Sequence, residues 1–301
     1  VRSSAASDVY KRQIISTLMA TKRSIAILLT VFNRKLKTIK CLENIYNQNS
    51  SSQYEINIFL TDDGSTDGTS DLIRSKYPSV FIIKGNNLYW NRGMWSSWNA
   101  AIKKKSYDFY LWLNDDTFTY PFMLDQLINT SNLYSDKAII VGPTIDNKGL
   151  GMHTYGGRKD KKLVPLNGKI QECDSFNGNI VLIPSYVYNL VGMNDPIFHH
   201  SLGDLDYGLR AKKAGIKIIQ LGQAVGECDR HDRIMKWCDP EIKLRDRIKF
   251  LFQPTGYPPQ EVFYFNKRHY GLLKAIIMLF TTFARCFFPS IWIKLNKAQW
   301  I

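Results

Sequence analysis

Short apolar runs rich in β-branched residues alternate with amphipathic segments along most of the chain. Residues 24–31 predict a buried strand, and residues 35–48 predict a helix whose apolar positions recur every three residues. Further segments follow the same alternation, with strands at 55–61, 80–84, 109–113, 138–142, 180–183 and 216–221, and helices at 95–104, 187–190 and 204–214. Such alternation is typical of βαβ units. We therefore expect an α/β fold with a mainly parallel sheet and an irregular hairpin over residues 144–174.

The two ends of the chain depart from this central pattern. Residues 1–13 have neither the apolar segment of a signal peptide nor an apolar periodicity, and we expect a cloning-derived or disordered leader there. Residues 14–240 are predicted to form one α/β domain. Residues 241–301 are predicted to form a helical extension that is basic, with ten Lys or Arg side chains against three Asp or Glu.

An apolar stretch in this extension, Ala275 to Ile293, is interrupted by a charge and a proline and does not predict a helix that spans a membrane. We expect an interfacial segment that contacts an anionic membrane surface. The aromatic side chains expected to enter the headgroup region are Phe280, Phe283, Phe287, Phe288 and Trp292. The basic side chains expected to contact anionic lipid are Lys274, Arg285 and Lys294. The alternative is a helical hairpin that packs on the main domain.

Composition narrows the class of protein. Hydrophobic residues make up 45% of the chain, which is enough for a packed core and excludes overall disorder. The formal net charge of +14 favours anionic partners, but no zinc-finger, RNP-like or helix-turn-helix pattern occurs, so we expect no nucleic-acid partner. Five cysteines without a CxxC pair argue against a disulfide framework and predict a reducing compartment.

Three acidic clusters lie at or near the ends of predicted strands. They are Asp62-Asp63, Asp115-Asp116 and Asp204-Leu205-Asp206. In an open α/β sheet, ligands bind at the carboxyl ends of the strands, and carboxylates crowded there repel one another unless a cation compensates their charge. Oxygen ligands of this kind suit a divalent metal. The alternative is that Asp116 and Asp204 only cap helices.

Five motifs, in this order, resemble those of the inverting family 2 glycosyltransferases, which have the GT-A fold. They are Thr30 to Arg34, Asp62 to Asp67, Asn91 to Asn99, Leu113 to Thr117 and Gly203 to Arg210. The resemblance covers residues 24–232, and a rhamnosyltransferase-like branch is the most similar in residues 87–90, 203–207 and 267–269. Two positions depart from the family pattern: Asn114 replaces the first Asp of a DxD motif, and Gly203 replaces an acidic residue.

The resemblance implies roles for individual side chains. Asp204 would be the catalytic base, and Asp116 would bind Mg²⁺ or Mn²⁺ together with His231, whose alternative is a surface position. The donor-binding residues that the resemblance implies are Thr30, Asn33, Arg34, Asp62, Asp63, Gly93, Asn99 and Asp115. On the acceptor side it implies Asp206 and Trp90, although an aromatic residue beside a strand end is also typical of a core.

The family resemblance also implies an enzyme. It would move a hexosyl or deoxyhexosyl group from a nucleotide-diphosphate sugar to a glycan or a lipid-linked acceptor by single displacement with inversion. In this mechanism Asp204 takes the proton of the acceptor hydroxyl, and a metal offsets the charge on the departing diphosphate. We expect a peripheral protein on the cytoplasmic face of the cell membrane that takes part in surface polysaccharide synthesis. The alternative is a non-catalytic protein that binds nucleotide sugars or glycans with a degenerate GT-A site.

Overall fold

Fifteen strands occur in the part of the chain that the computed structural model describes, residues 22–229 and 234–294. In chain order they are β1 (Ser24–Val31), β2 (Glu55–Asp62), β3 (Phe81–Lys84), β4 (Phe109–Leu113), β5 (Phe118–Thr119), β6 (Ala138–Val141), β7 (Thr144–Ile145), β8 (His153–Tyr155), β9 (Gly157–Lys159), β10 (Lys162–Leu163), β11 (Gln171–Cys173), β12 (Ser175–Phe176), β13 (Ile180–Pro184), β14 (Lys217–Gln220) and β15 (Gly226–Glu227).

Ten helices accompany these strands within the same described ranges. They are α1 (Lys35–Tyr46), α2 (Thr69–Lys76), α3 (Tyr89–Lys104), α4 (Met123–Leu133), α5 (Ser185–Val191), α6 (Gly203–Lys213), α7 (Leu244–Leu251), α8 (Pro259–Tyr270), α9 (Leu272–Phe287) and α10 (Pro289–Lys294). Two short 3₁₀ turns lie at Ser51–Gln53 and Lys236–Cys238. No helix in the described parts of the chain is long and apolar enough to cross a membrane.

Eight strands form one mixed sheet in the order β11-β14-β6-β13-β4-β1-β2-β3. The pairs β3–β2, β2–β1, β1–β4 and β6–β14 are parallel, whereas β13 runs antiparallel to both β4 and β6. The α/β class with a mainly parallel sheet is therefore confirmed. The strand predicted at residues 216–221 corresponds to β14, and β11 pairs with it in antiparallel register and forms the edge of the sheet.

The sheet is buried on both faces, as its continuous apolar strands require. Alternate residues of β1 point to opposite sides. Ile25, Ile27 and Leu29 pack under α1 and α4 in one core cluster, while Ala26 and Leu28 belong to a second cluster under α3 and α6. Helices therefore cover both faces of the sheet.

The C-terminal extension packs on the α/β domain through a third core cluster. Trp237, Val262 and Phe265 contact Phe198 and Leu202, which belong to the loop before α6. A helical C-terminal region is therefore confirmed, and its helices α7–α9 are in contact with the elements that carry the acidic motif near residue 204.

One of the side chains expected at a lipid surface is buried, and a second is partly buried. Arg285 is only 6% exposed and lies over the ring of Trp237, with its guanidinium carbon 5.1 Å from the ring centroid. Phe283 packs against the third core cluster. For Arg285 the expectation of lipid contact is wrong, because its side chain is buried against the C-terminal core. For Phe283, which is partly exposed, it stays a prediction.

Candidate active site

The carboxyl ends of three parallel strands meet at one edge of the sheet. Val31 pairs with Asp62, so β1 and β2 end at the same level, and Leu28 pairs with Trp112, so β4 ends about two residues earlier along the same direction. Because β13 is antiparallel to β4, the residues that precede it reach this edge too, and Ile180 pairs with Leu113. The edge therefore collects four segments: residues 32–34, 62–67, 114–116 and 178–179.

Arg34 connects the two acids that follow β4. Its Nη1 lies 3.0 Å from Oδ1 of Asp115 and 2.8 Å from Oδ2 of Asp116. Asp115 is buried, and the hydroxyl of Thr38 donates to its other oxygen at 3.3 Å. Burial raises the pKa of Asp115 to about 7, against the opposing effect of Arg34. The site thus holds one buried acid, one more accessible acid and a cation between them.

The carboxylate oxygens beside Arg34 are of the kind that bind a divalent metal. Mg²⁺ is commonly held by one or two carboxylates together with substrate phosphates, and Asp116 supplies such a carboxylate. Within the described ranges, no three acidic, histidine or cysteine side chains converge into a complete metal site. Burial raises the pKa of the neighbouring Cys228 thiol to about 12, so this sulfur is a neutral neighbour of Asp116. His231 lies outside the described residues.

Asp204 stands at the start of α6, where backbone amides hold its carboxylate. The amide of Gly178 donates to Oδ2 at 3.1 Å, and the amide of Leu205 donates to Oδ1 at 2.8 Å. Burial raises the pKa of Asp204 above its usual range. A carboxylate fixed in this way and raised in pKa suits a general base, and its position at a helix start is compatible with that role.

Trp90 lies between Asp204 and the acid pair. Its Nε1 donates to Oδ1 of Asn114 at 2.7 Å, and a Cβ built on Gly178 would lie 2.6 Å from its ring. The ring also meets Trp112 edge-on at 5.8 Å. Asn114, which replaces the first Asp of the DxD motif, therefore holds an indole that extends from β4 to the segment bonded to Asp204.

The carboxylates of Asp62 and Asp63, at the end of β2, accept hydrogen bonds from backbone amides. Asp62 accepts from the amide of Ser65 at 2.8 Å and from the hydroxyl of Ser70. Asp63 accepts from the amides of Leu88 and Tyr89 at 2.7 and 2.8 Å. Both acids are buried at the edge of the sheet, where they shape the loop that a donor nucleotide would contact.

Asn33 ties the turn after β1 to this loop, with its backbone in the left-handed region at φ 49°. Its amide donates to Oγ of Ser65 at 2.9 Å, and its Oδ1 accepts from the amide of Thr66 at 2.8 Å. The first two motifs are therefore joined directly.

Three further predicted donor-binding residues have different surroundings. A Cβ on Gly93 would lie 2.4 Å from Cγ2 of Thr30, so these two residues form the close contact of α3 with β1. Asn99 lies two turns beyond Asn91 on α3, about 12 Å further along the helix axis. The structure brings Thr30 and Gly93 next to each other, and it places Asn99 away from the acid pair.

Asp206 is 0% exposed and belongs to a network of charged groups. It accepts from Arg210 at 2.9 Å, from Arg268 at 2.7 Å and from His269 at 2.8 Å. Burial alone would raise the pKa of Asp206, but hydrogen bonds from His269 and Arg210 outweigh it and lower the pKa below the usual range. The side chain predicted on the acceptor side thus joins α6 to α8 and offers no surface to an acceptor.

The loop before α6 contains site residues that the motifs did not identify. Its backbone is anchored to α3, since the amide of Asn91 donates to the carbonyl of His199 at 3.0 Å. Glu261 of α8 accepts from Nδ1 of His199 at 2.6 Å. His200 meets Tyr89 edge-on at 6.4 Å. The sequence signal was the position of this His-His pair shortly before the acidic motif.

The fold is an α/β fold with an acidic edge, and comparison with known sequences shows the family. Residues 26–186, a little over half of the chain, match the model of glycosyl transferase family 2, and the chain belongs to this family. Uncharacterized glycosyltransferases of Rickettsia typhi and Rickettsia prowazekii are each 28% identical over 151 residues. The match covers 46% of this chain and 44% of theirs, so the chain spans less than half the length of these curated relatives.

Solved structures share the fold at low sequence identity. The mannosyltransferase PcManGT of Pyrobaculum calidifontis, in complex with GDP-Man and Mn²⁺, has a TM-score of 0.52 and 14% identity, over 93% of this chain and 80% of that one. Residues 1–349 of S. aureus TarS, in complex with UDP, have a TM-score of 0.52 and 13% identity, over 82% and 72%. These likenesses confirm the GT-A fold.

Proposed function

We propose that this protein is an inverting glycosyltransferase that moves a hexosyl or deoxyhexosyl group from a nucleotide-diphosphate sugar to a glycan or a lipid-linked acceptor. The observation that carries the proposal is the position of Trp90, whose indole lies between Asp204 and the Arg34–Asp115–Asp116 group. In a displacement at an anomeric carbon, the attacking hydroxyl and the departing diphosphate lie on opposite sides of that carbon. Asp204 would serve the attacking hydroxyl, and the Arg34 group would bind the departing diphosphate on the other side of Trp90.

Each residue in this arrangement has a defined task. Arg34 places its own positive guanidinium group at the edge where the diphosphate of a donor would lie. Asp204 accepts the proton of the acceptor hydroxyl as that oxygen attacks the anomeric carbon from the side opposite the diphosphate. The C–O bond to the diphosphate breaks as the new C–O bond forms, which inverts the carbon in one step.

A divalent metal fits the same edge, with Asp116 as its protein ligand. A bound Mg²⁺ or Mn²⁺ would offset the charge that develops on the diphosphate. PcManGT contains Mn²⁺ and GDP-Man, and TarS contains UDP, which supports a nucleotide-sugar donor for this chain as well. Arg34 bridges Asp115 and Asp116, and we expect it to exchange partners when a metal and a diphosphate arrive.

Nucleotide binding tests the donor site directly. We would titrate UDP, GDP, dTDP and CMP, each with and without Mn²⁺, into the wild type and into Asp116→Asn by calorimetry. One nucleotide should bind with metal and lose affinity in the variant. If none binds under either condition, the proposed function is wrong.

Turnover tests the transfer step separately. With the donor in hand, Asp204→Asn should bind the nucleotide as the wild type does and lose about 10²- to 10⁴-fold in kcat. A wild type that binds the donor but transfers and hydrolyses no sugar, with any acceptor glycan or lipid, would instead identify a binding protein with a degenerate site.

The extension supports a location at a membrane surface. An exposed apolar stripe runs along α9 through Leu273, Ile277, Phe280 and Phe287, and exposed Lys274 lies beside it. We propose that this stripe docks on anionic lipid at the inner face of the cell membrane, where a lipid-linked acceptor for surface polysaccharide synthesis would be presented.

A further inference from the structure

An open groove of about 350 Å³ lies where α3, α6 and α8 meet the loop before α6. It is formed by Trp95 of α3, residues 193–196 of the loop, Arg210 of α6 and Arg268 of α8. No part in donor binding or proton transfer falls to these residues. Ligand sites commonly have volumes of about 300–1,000 Å³, so this groove suits a small ligand such as one or two sugar rings.

The polar side chains of the groove are accessible and have hydrogen-bonding capacity to spare. Those of Asp195 and Arg268 are each 23% exposed. Hydrogen bonds to Asp206, Asp195 and Tyr264 take up three of the five N–H donors of Arg268. The carboxylate of Asp195 accepts two hydrogen bonds, and a carboxylate has about four acceptor positions. Both donors and acceptors therefore remain for a ligand.

The charges in and beneath the groove favour a neutral ligand over an anion. Arg210 pairs with the buried carboxylate of Asp206, and Arg268 pairs with both Asp206 and Asp195. Two guanidinium groups are thus matched by two carboxylates. A phosphate would meet Asp195 as well as the arginines, whereas sugar hydroxyls can accept from Arg268 and donate to Asp195.

Trp95 supplies an aromatic surface beside these polar groups. Its indole is half-buried, so part of the ring is open to solvent at the groove. A sugar ring has an apolar C–H face and hydroxyl groups at its rim. The C–H face can pack on the indole while the rim reaches Asp195 and Arg268, which is the combination of an apolar body and polar edges that aromatic residues bind well.

Hydrogen bonds join the wall of the groove to the residue that follows Trp90. Nδ2 of Asn91 donates to the carbonyl of Asp195 at 2.8 Å, and Nδ2 of Asn194 donates to the carbonyl of Asn91 at 2.7 Å. The groove therefore has a fixed position relative to the first turn of α3, which carries the indole at the centre of the proposed active site.

The same helices give the separation between the groove and the reacting groups. Trp95 follows Trp90 by five residues on α3, and Arg210 follows Asp204 by six residues on α6. These spacings correspond to about 8 Å and about 9 Å along the helix axes. One oligosaccharide is long enough to place a hydroxyl at Asp204 and another of its sugar units in the groove.

We propose that this groove is a second carbohydrate site, which binds a neutral sugar unit of the acceptor glycan by stacking on Trp95 and hydrogen bonding to Asp195 and Arg268. That the glycan is the acceptor rests on the proposed function above. The affinity of the groove for a sugar does not depend on the transfer reaction.

The test uses oligosaccharides as probes. The wild type is applied to an array of neutral and anionic bacterial oligosaccharides, and the neutral one retained best is titrated by calorimetry into the wild type, Trp95→Ala and Trp95→Phe. Trp95→Ala should weaken binding about tenfold, because it removes the stacking surface. Trp95→Phe keeps an aromatic ring and should recover part of the affinity. In transfer assays, Trp95→Ala should raise KM for the glycan and leave kcat unchanged.

Two controls assign the effect to the groove. Phe122→Ala removes an exposed aromatic ring just before α4, which packs on the other face of the sheet, and it should bind the oligosaccharide as the wild type does. The nucleotide that binds the wild type should bind Trp95→Ala with equal affinity, which also shows that this variant is folded.

The outcomes separate this proposal from the proposed function. Retention of anionic oligosaccharides alone, retention of none, or equal binding by the wild type and Trp95→Ala would overturn the carbohydrate site and leave the transferase intact. If no nucleotide binds the wild type but a neutral oligosaccharide binds and is lost in Trp95→Ala, the transferase proposal fails and the carbohydrate site stands.

Discussion

At the scale of single residues, Gly203 shows why this chain departs from its family's acidic motif. A Cβ at this position would lie 1.9 Å from Oδ1 of Asn91. Asn91 cannot move away easily, because its Nδ2 donates to the carbonyls of Asp195 and Phe198, both at 2.8 Å. The amide of Asn91 occupies the space that an acidic side chain would need, and glycine is what allows α6 to approach α3.

A methyl group at this position is therefore expected to destabilise the protein. Gly203→Ala should lower the free energy of unfolding by about 2–3 kcal/mol in urea titrations followed by circular dichroism. Gly208→Ala is the matched control on the same helix, because its Cβ would lie 3.3 Å from the Phe176 ring and needs only a small adjustment. Equal effects of the two substitutions would contradict the packing argument.

The environment of Asp204 predicts the pH dependence of transfer. A general base acts when it is deprotonated, so kcat/KM falls as the pH drops through the pKa of this carboxyl. Burial raises that pKa above the usual value for Asp, which is about 4. The acidic limb of the profile should therefore lie above pH 4 when kcat/KM is measured with the identified donor. A rate that stays constant down to pH 4 would exclude Asp204 as the base.

At the scale of elements, the start of α3 was missed by six residues. The pattern predicted a helix from residue 95, whereas α3 begins at Tyr89. The added turns are held by groups from elsewhere in the chain: Asp63 accepts from the amides of Leu88 and Tyr89, and His199 accepts from the amide of Asn91. A helix start capped by distant groups leaves no local signal, so only tertiary structure defines it.

The C-terminal helix α8 is expected to stabilise the site it contacts. Arg268 donates to both Asp206 of α6 and Asp195 of the loop before it. Arg268→Met should lower the free energy of unfolding by about 2–3 kcal/mol, since it leaves part of a buried charge without its partner. Lys267→Met, at the exposed neighbouring position, is the control and should change it by less than about 0.5 kcal/mol.

This substitution has a kinetic consequence as well. Arg268 donates to Asp195 in the loop that continues to His200 and Asp204. Because the loop loses this contact, Arg268→Met should also lower kcat, while the affinity for free nucleotide stays the same. Chemical denaturation and calorimetry measure the two effects separately. If stability falls and kcat is unchanged, α8 supports only the fold.

At the scale of the whole molecule, the extension has one face that packs on the domain and one face that is exposed. The inner face of α9 contributes Ala275 and Cys286 to buried positions, while its outer face exposes a stripe of large apolar side chains. Exposed apolar patches of this kind mark interaction surfaces, and the basic extension around the stripe favours anionic lipid.

Vesicle binding checks this expectation with a matched pair of substitutions. Leu273 on α9 and Leu133 at the end of α4 are each 73% exposed. Leu273→Glu should reduce sedimentation with vesicles that contain phosphatidylglycerol, whereas Leu133→Glu should leave it unchanged, and high salt should weaken binding of the wild type. Equal sedimentation of both variants and the wild type would argue against a lipid-binding stripe.

The sequence by itself determined the α/β class, the helical C-terminal region and the acidic segments at one edge of the sheet. These follow from local periodicity and from the rule that parallel strands end at a common edge, so short segments carry the information. Only the tertiary structure decided which carboxylates are already bonded to backbone or arginine. Asp63, Asp206 and His199 all have partners at least 25 residues away in the chain. A hydrogen bond between such distant residues depends on how the whole chain packs, and no pattern within either segment specifies it.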